Sequence, residues 1–554
     1  MRKNKKHKWK YQVNIRKKIL VLVILGVILF VGIGYAILES NLGIFGTLEV
    51  GAPFVTVTFN SDGGTGAPAP KKYLRSATYG AITEPTKTDY EFLGWNGKNL
   101  LNINTYESMP SSTDNANTEA RTFTENTVVI GLAYNNYYRD SSVASYSISN
   151  NTISMVASVG YGLGFPLNSE ANKTYTLSYT AQSDNTAVVG ALYYKSDGTF
   201  INYDRLDGNG DKVLTFTTPS ETQCLVIVFA NSETNISSTY SNIQLEEGNV
   251  KTDYQPYYIT DTTHVGNGDH VLTAKWVKRA EFATDDWNTI VRAYKLGATQ
   301  NLEADLTNGT LRNVELDLDH DPTTPVETAH LRIANLSKPS ECNNINTMSQ
   351  TACGFVVEFT DIIAVHGMNP LDLNYFNTHN STPKFAQGAN GGWEHSDMRA
   401  FLNGTIYQQG ESDEVDYTGI GIIDALPTDL KNVIINTNVI SGHSSMEAND
   451  SVTTDRLYLL SPKEMYGASF TDSNDTAHGK QRQLDYYTDN CPGNGNCPAS
   501  IRGDIIAGHY PWYWYRSASF LYKSNFYSSN GTGSVSSASS NDTGGAAPAF
   551  RIAN

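Results

Sequence analysis

The sequence predicts a multidomain, mainly β chain: a single N-terminal transmembrane helix, a long strand-rich stretch with the spacing of a β-sandwich, and a C-terminal α+β domain. Three observations predict it. A length of 554 residues is too great for one core at roughly 150 residues per domain. Residues 19–38 form a run of 20 without a charge. Period-2 alternation dominates the next 240 or so residues, and helical spacing enters only beyond about residue 280.

The N-terminal segment comes first. Residues 1–18 hold nine basic residues and no acid, a cytoplasmic stub under the positive-inside bias. Residues 19–38 (ILVLVILGVILFVGIGYAIL) would span a hydrocarbon core of about 30 Å as a helix. The alternative is a cleaved signal peptide, since Gly34-Tyr35-Ala36 is a small-x-small site behind an apolar core. Both readings export the body, and the first makes the cytoplasmic membrane a partner. Residues 39–54 read as a linker. Downstream of the stub, 31 basic residues face 56 acidic ones, against a net charge of −16 for the whole chain. Nucleic-acid affinity needs clustered Lys and Arg, so this acidic body argues against that class of partner.

Residues 55–95 contain an alternating strand, Val55, Val57 and Phe59, which Asp62-Gly63-Gly64 then turns. Asn60, Gly63, Gly64, Gly66 and the run Tyr90-Glu91-Phe92-Leu93-Gly94-Trp95 resemble the internalin-type B-repeat, also called the Listeria/Bacteroides repeat. Members of that family close with a strand ending in AKW, which occurs here only at Thr262–Trp276. The resemblance thus implies a β-grasp-like domain made of 55–96 plus 258–277 and split by residues 97–257.

The insertion itself is strand-like, with runs such as Tyr175–Tyr179, Val188–Tyr194 and Val213–Thr217 between Gly, Asn, Asp and Pro. Its end, Ser241–Gly248 followed by Thr252–Tyr257, resembles the closing strand of jelly-roll carbohydrate-binding modules. That resemblance implies aromatic sugar contacts on one face. Tyr137, Tyr138, Tyr193 and Tyr194 are the nominated residues, with Tyr134, Tyr161 and Tyr203 as further candidates. The competing reading is that these rings fill cores, since aromatic residues favour strands in any case.

Residues 280–554 mix helices with strands. Thr284 is expected to cap a helix with Trp287, Ile290, Val291 and Tyr294 on one stripe and Gly297 at its end. Shorter helices are expected around Met398–Leu402 and Leu430–Ile434, and Ser461-Pro462-Lys463-Glu464 is a capping box. The ordered motifs RIAN (Arg332–Asn335), Gly392–Asn403, Leu426–Ile434, Asp455–Gly467, Gln483–Tyr487, Trp512–Ser519 and Ala546–Ile552 resemble an uncharacterised bacterial surface domain. Their ending is also similar to C-type-lectin-like domains, although Tyr515 and Ala547 depart from that pattern. Among the five cysteines, Cys342 with Cys353 and Cys491 with Cys497 are expected to form local disulfides. Free thiols or a metal site are the alternatives, though no C-x2-C pair occurs.

Catalytic motifs are missing: there is no G-x-S-x-G, H-E-x-x-H or Walker loop, and His395, His443, His478 and His509 lie far apart. An enzyme is not expected; a glycosidase would need two carboxylates about 5–10 Å apart. Asp317, Asp319 and Asp321 alternate, which on a strand gathers three carboxylates on one face, a calcium candidate. Pro322 breaks the EF-hand pattern, and a solvated acidic hairpin is the alternative. No other cofactor is implied.

The last expectation concerns recognition. Trp512 and Trp514 share one face of a strand with Tyr513 and Tyr515 on the other, and Arg516 reads as a buried structural partner. Tyr522, Asn525, Tyr527 and Asn530 follow among Ser and Gly, the chemistry of adaptable contact loops. They are the expected ligand surface, with a Ser-rich loop lacking any ligand as the alternative. The function expected is therefore a membrane-tethered extracellular binding or adhesion protein of the bacterial cell envelope, taking a glycan or surface protein. A structural spacer, or a cell-wall glycan hydrolase, is the rival.

Overall fold

The computed structural model describes residues 54–103, 107–108, 127–135, 143–149, 151–368, 392–408, 414–442, 450–470, 477–491, 497–506, 508, 511–519 and 525–553. The expected membrane segment 19–38 and the stub before it lie outside these residues. Among the described residues no helix is long and apolar enough to cross a membrane. The described chain is mainly β, with short helices confined to its C-terminal half.

A five-stranded sheet comes first, in the order Tyr258–Ile259, Tyr90–Asn96, His270–Lys278, Phe54–Asn60, Lys71–Leu74. Its central pairing is parallel, Val57 opposite His270 through Asn60 opposite Thr273, joining strands about 210 residues apart. Alternation makes the core: Val55, Val57 and Phe59 point inward against Trp95, Leu272 and Ala274. Phe59 meets Trp95 edge-on at 5.3 Å, and Phe92 meets Trp276 at 5.5 Å. Gly64 is where only glycine fits, because a Cβ there would lie 2.7 Å from both Thr86 O and the Trp276 ring. Trp276 Nε1 donates to Ser61 O at 3.0 Å, so the glycine turn and the closing strand fix each other.

Residues between the two halves of that sheet build a sandwich. One sheet has six strands in the order Phe200–Asp207, Ala187–Tyr194, Cys224–Asn231, Tyr161–Asn168, Thr127–Ala133, Glu107–Ser108. The other has five: Gly210–Thr217, Thr174–Ser183, Ile236–Glu247, Thr152–Ala157, Val143–Ser149. Leu163, Phe165, Leu177, Ile227, Phe229 and Tyr240 fill the space between them. The two crossings into the sandwich are tied together: Asn96 Nδ2 donates to Tyr257 O at 2.7 Å, and Asn99 Nδ2 to Ile243 O at 2.9 Å.

The C-terminal part is α+β. A four-stranded sheet runs Leu311–Leu316, Glu327–Asn335, Phe355–Phe359, Ala549–Ala553. A five-stranded one runs Ala364–Gly367, Thr543–Ala546, Tyr513–Ala518, Asn525–Ser529, Val535–Ser539. The helix Trp287–Lys295 is capped by Asp286, not Thr284. The carboxylate of Asp286 accepts from Thr289 N at 2.9 Å, three residues on, whereas Thr284 stands two residues too early. Helix Pro462–Tyr466 does carry its capping box between Ser461 and Glu464. Cys342–Cys353 and Cys491–Cys497 are bonded, with Cα atoms 5.8 and 4.9 Å apart.

The acidic run is a correction. The strand ends at Leu316, so Asp317, Asp319 and Asp321 lie in a turn and share no strand face. Asp319 accepts from the Thr324 hydroxyl and Asp321 N, and Asp321 accepts from Thr323. These carboxylates cap their own loop. Among the described residues no group of three His, Cys, Asp or Glu is placed to hold a metal ion.

Candidate ligand face of the sandwich

The six-stranded sheet is apolar on both faces. In Ala187–Tyr194, Val189, Ala191 and Tyr193 enter the core between the sheets, while Val188, Leu192 and Tyr194 point the other way. Val226, Val228 and Ala230 on the neighbouring strand join them in a second buried cluster on the outer face. Such a doubly covered strand reads as an unbroken apolar run, which AVVGALYY is.

The edge strand Phe200–Asp207 changes this chemistry. Tyr203, Arg205 and Asp207 stand opposite Leu192, Gly190 and Val188, so their side chains share the outer face. Arg205 donates through Nε and Nη2 to the two carboxylate oxygens of Asp207, both at 2.5 Å. Hydrogen bonding to Asp207 raises the Arg205 pKa further above its ordinary value. The guanidinium carbon stacks 4.0 Å over the ring of Tyr134, which meets Tyr203 edge-on at 5.7 Å.

Two glycines make room for that ring. A Cβ on Gly190 would come within 3.0 Å of Tyr134 Cβ, and one on Gly160 within 3.2 Å of its Cε1. Tyr134 is thus seated against backbone, and Arg205 and Asp207 remain partly exposed above it, their side chains 32% and 40% accessible. The result is a platform in which a half-buried Tyr203 ring stands edge-on to Tyr134, beside the Arg205–Asp207 pair, over an apolar floor. A few fixed polar groups beside apolar surface are the ordinary make-up of a small-ligand site.

The nominated tyrosines separate. Tyr193 and Tyr194, exposed by 1% and 0%, are core residues, so sugar contacts by them are corrected. Tyr193 donates to Asp204 at 2.5 Å inside the sandwich edge, and Tyr194 packs on Phe200 at 5.6 Å. Tyr137 and Tyr138 lie outside the described residues, and Tyr161 is half-buried. Tyr134 and Tyr203 are brought together; Arg205 and Asp207 are the residues that sequence reasoning missed. Their signal was present, since Tyr203, Arg205 and Asp207 follow each other at period 2.

In the C-terminal part, Tyr522 lies outside the described residues, while Asn525 and Tyr527 are half-buried on one face of an outer hairpin. Asn525 Nδ2 reaches Ser537 Oγ at 3.4 Å, and Tyr527 packs edge-on against Phe470 at 5.1 Å. Asn530 does not join them. Its Oδ1 accepts from Thr532 N and Ser534 N at 3.0 and 3.1 Å, holding its own turn, so a ligand contact by that oxygen is corrected. Arg516 is fully buried against Glu464.

Comparison with known proteins adds two families. Residues 363–554 match a domain of unknown function, DUF6273, and residues 56–123 match the Listeria-Bacteroides repeat domain. No curated protein matches the chain. Solved structures similar to it include three that each cover about a fifth of the chain. One is a CBM4 structure at 13% identity, covering 19% of this chain and 77% of that one, with a TM-score of 0.17. Another is the N-terminal cellulose-binding domain of Cellulomonas fimi β-1,4-glucanase C, at 19% identity, covering 20% and 86%, with a TM-score of 0.16. The third is the CBM22-1–GH10 module pair of Clostridium thermocellum xylanase 10B with xylohexaose, at 11% identity, covering 19% and 24%, with a TM-score of 0.16. The sandwich itself is defined by the pairing of its two sheets and the core between them.

Proposed function

We propose that the chain is an extracellular binding protein of the bacterial cell envelope, tethered by residues 19–38, whose sandwich recognises a glycan. One observation carries this reading: the Tyr134–Arg205–Asp207–Tyr203 platform on the outer face of the six-stranded sheet. A pyranose ring has an apolar face for Tyr203 and hydroxyls that both accept from Arg205 and donate to Asp207. The match of residues 56–123 to a repeat domain supports a modular chain that holds the sandwich away from its anchor. In the same reading residues 280–554 form a lectin-like adhesion domain with Asn525 and Tyr527 as a second contact surface, and no step of catalysis is assigned.

The test is a glycan array probed with the purified chain and with the Arg205→Ala variant. The reading expects retained glycans for the first and at least about a tenfold weaker signal for the second, the loss of one hydrogen-bonded charged group at a contact. A chain that retains nothing, or a variant that retains everything, overturns it.

A further inference from the structure

We infer that the platform on the sandwich selects neutral glycans and that Asp207 is the residue that sets this preference; the inference rests on the glycan reading above. Both oxygens of Asp207 are engaged by Arg205 Nε and Nη2 at 2.5 Å, a bidentate pair with no net charge. The fork that would otherwise take a uronate or phosphate in two parallel bonds is therefore already occupied. Both side chains stay partly open to solvent, 32% and 40% accessible.

Charge around the pair points the same way. The outer-face floor beneath it, Val188, Leu192, Tyr194, Val226, Val228 and Ala230, carries none. Asp204, on the opposite side of the edge strand, is turned toward Tyr193. An acidic polymer approaching the platform meets a carboxylate with its cation already paired, on a chain of net charge −16. A neutral pyranose meets no such repulsion and can use both edges of the pair, while the Tyr203 ring takes its apolar face.

The experiment measures binding of the full chain to hexamers of β-1,4-linked glucose and N-acetylglucosamine, and to a galacturonate hexamer, at fixed ionic strength. Wild type should favour a neutral hexamer by at least about tenfold. Asp207→Asn, which frees the fork, should narrow that ratio or reverse it, and Asp207→Glu should restore it. Melting temperatures equal to wild type exclude unfolding as the cause. Tight galacturonate binding by wild type that Arg205→Ala removes would overturn the inference and leave the glycan reading standing. An unchanged ratio in Asp207→Asn would also overturn it. Binding of none of the three hexamers, together with a blank array, would remove both.

Discussion

Glu464 has no exposed surface, and its carboxylate is held by buried polar and charged partners. Arg516 donates to its two oxygens at 2.6 and 2.5 Å, Ser461 N donates at 2.9 Å, and the Thr351 hydroxyl adds a further bond. One residue thus closes a helix cap and binds a strand 52 positions away. Removing a single partner strands the other charge in the core, at a cost of about 3–5 kcal/mol. Arg516→Met should therefore lower the unfolding free energy measured by urea titration by that much, and a change under about 1 kcal/mol would show that the pair is not load-sharing in the fold. Burial of Arg516 was legible, because a charge inside a Trp/Tyr strand needs a partner; the identity of that partner was not, since capping spacing alone explains Glu464. The tyrosines teach a related point. Alternation says that Tyr193 and Tyr194 point opposite ways, but only the apolar alternates of all eight residues say that both directions are inward. At Asp317–Asp321 the period-2 pattern ran on past the end of its strand, and spacing by itself does not reveal where a strand stops.

Elements are joined here by polar contacts that composition does not disclose. His270, on the closing strand of the first sheet, accepts or shares a proton with Tyr79 at 2.6 Å, and Tyr79 accepts from Gln255 Nε2 at 3.2 Å, at the exit of the sandwich. Burial holds the His270 pKa below its usual 6.5; Lys98 adds to this, while the Gly268 carbonyl and Asp269 oppose it. The unfolded chain therefore takes up a proton more readily than the folded one. This contribution to stability is complete above about pH 6.5 and is lost as the pH falls below it. The melting temperature of the first sheet should drop between pH 7 and pH 5 more steeply in wild type than in His270→Gln. Equal slopes would mean that His270 is not the titrating group. The Gly-Gly turn and the YEFLGW strand were readable because Gly64 and Trp276 leave each other no alternative geometry. The helix cap was misplaced by two residues because Thr284 and Asp286 are both good caps, and only the side-chain bond to Thr289 separates them.

At the scale of the whole molecule the chain leaves one sheet, builds a sandwich and returns to the same sheet, with the Asn96–Tyr257 and Asn99–Ile243 bonds closing the neck. Replacing residues 98–257 by a short Gly/Ser linker should thus leave the first sheet folded, since its core draws on neither sandwich cluster. Loss of its cooperative melt would show that the two halves depend on the insertion. That the first sheet would be interrupted was legible only through the repeat-like motifs, whose closing strand stands at Thr262–Trp276 instead of shortly after Trp95. The candidate platform was only half legible: Tyr134 and Tyr203 stood out as aromatic residues, but their contact depends on Gly160 and Gly190, whose meaning appears once the strands are paired. The most direct measurement is a crystal structure of the chain soaked with the glycan that the array retains. The account predicts a pyranose within about 4 Å of the Tyr203 ring, the usual range of apolar contact, with a hydroxyl bonded to Arg205 or Asp207. A sugar seated on the Asn525–Tyr527 face, with the sandwich platform bare, would contradict it.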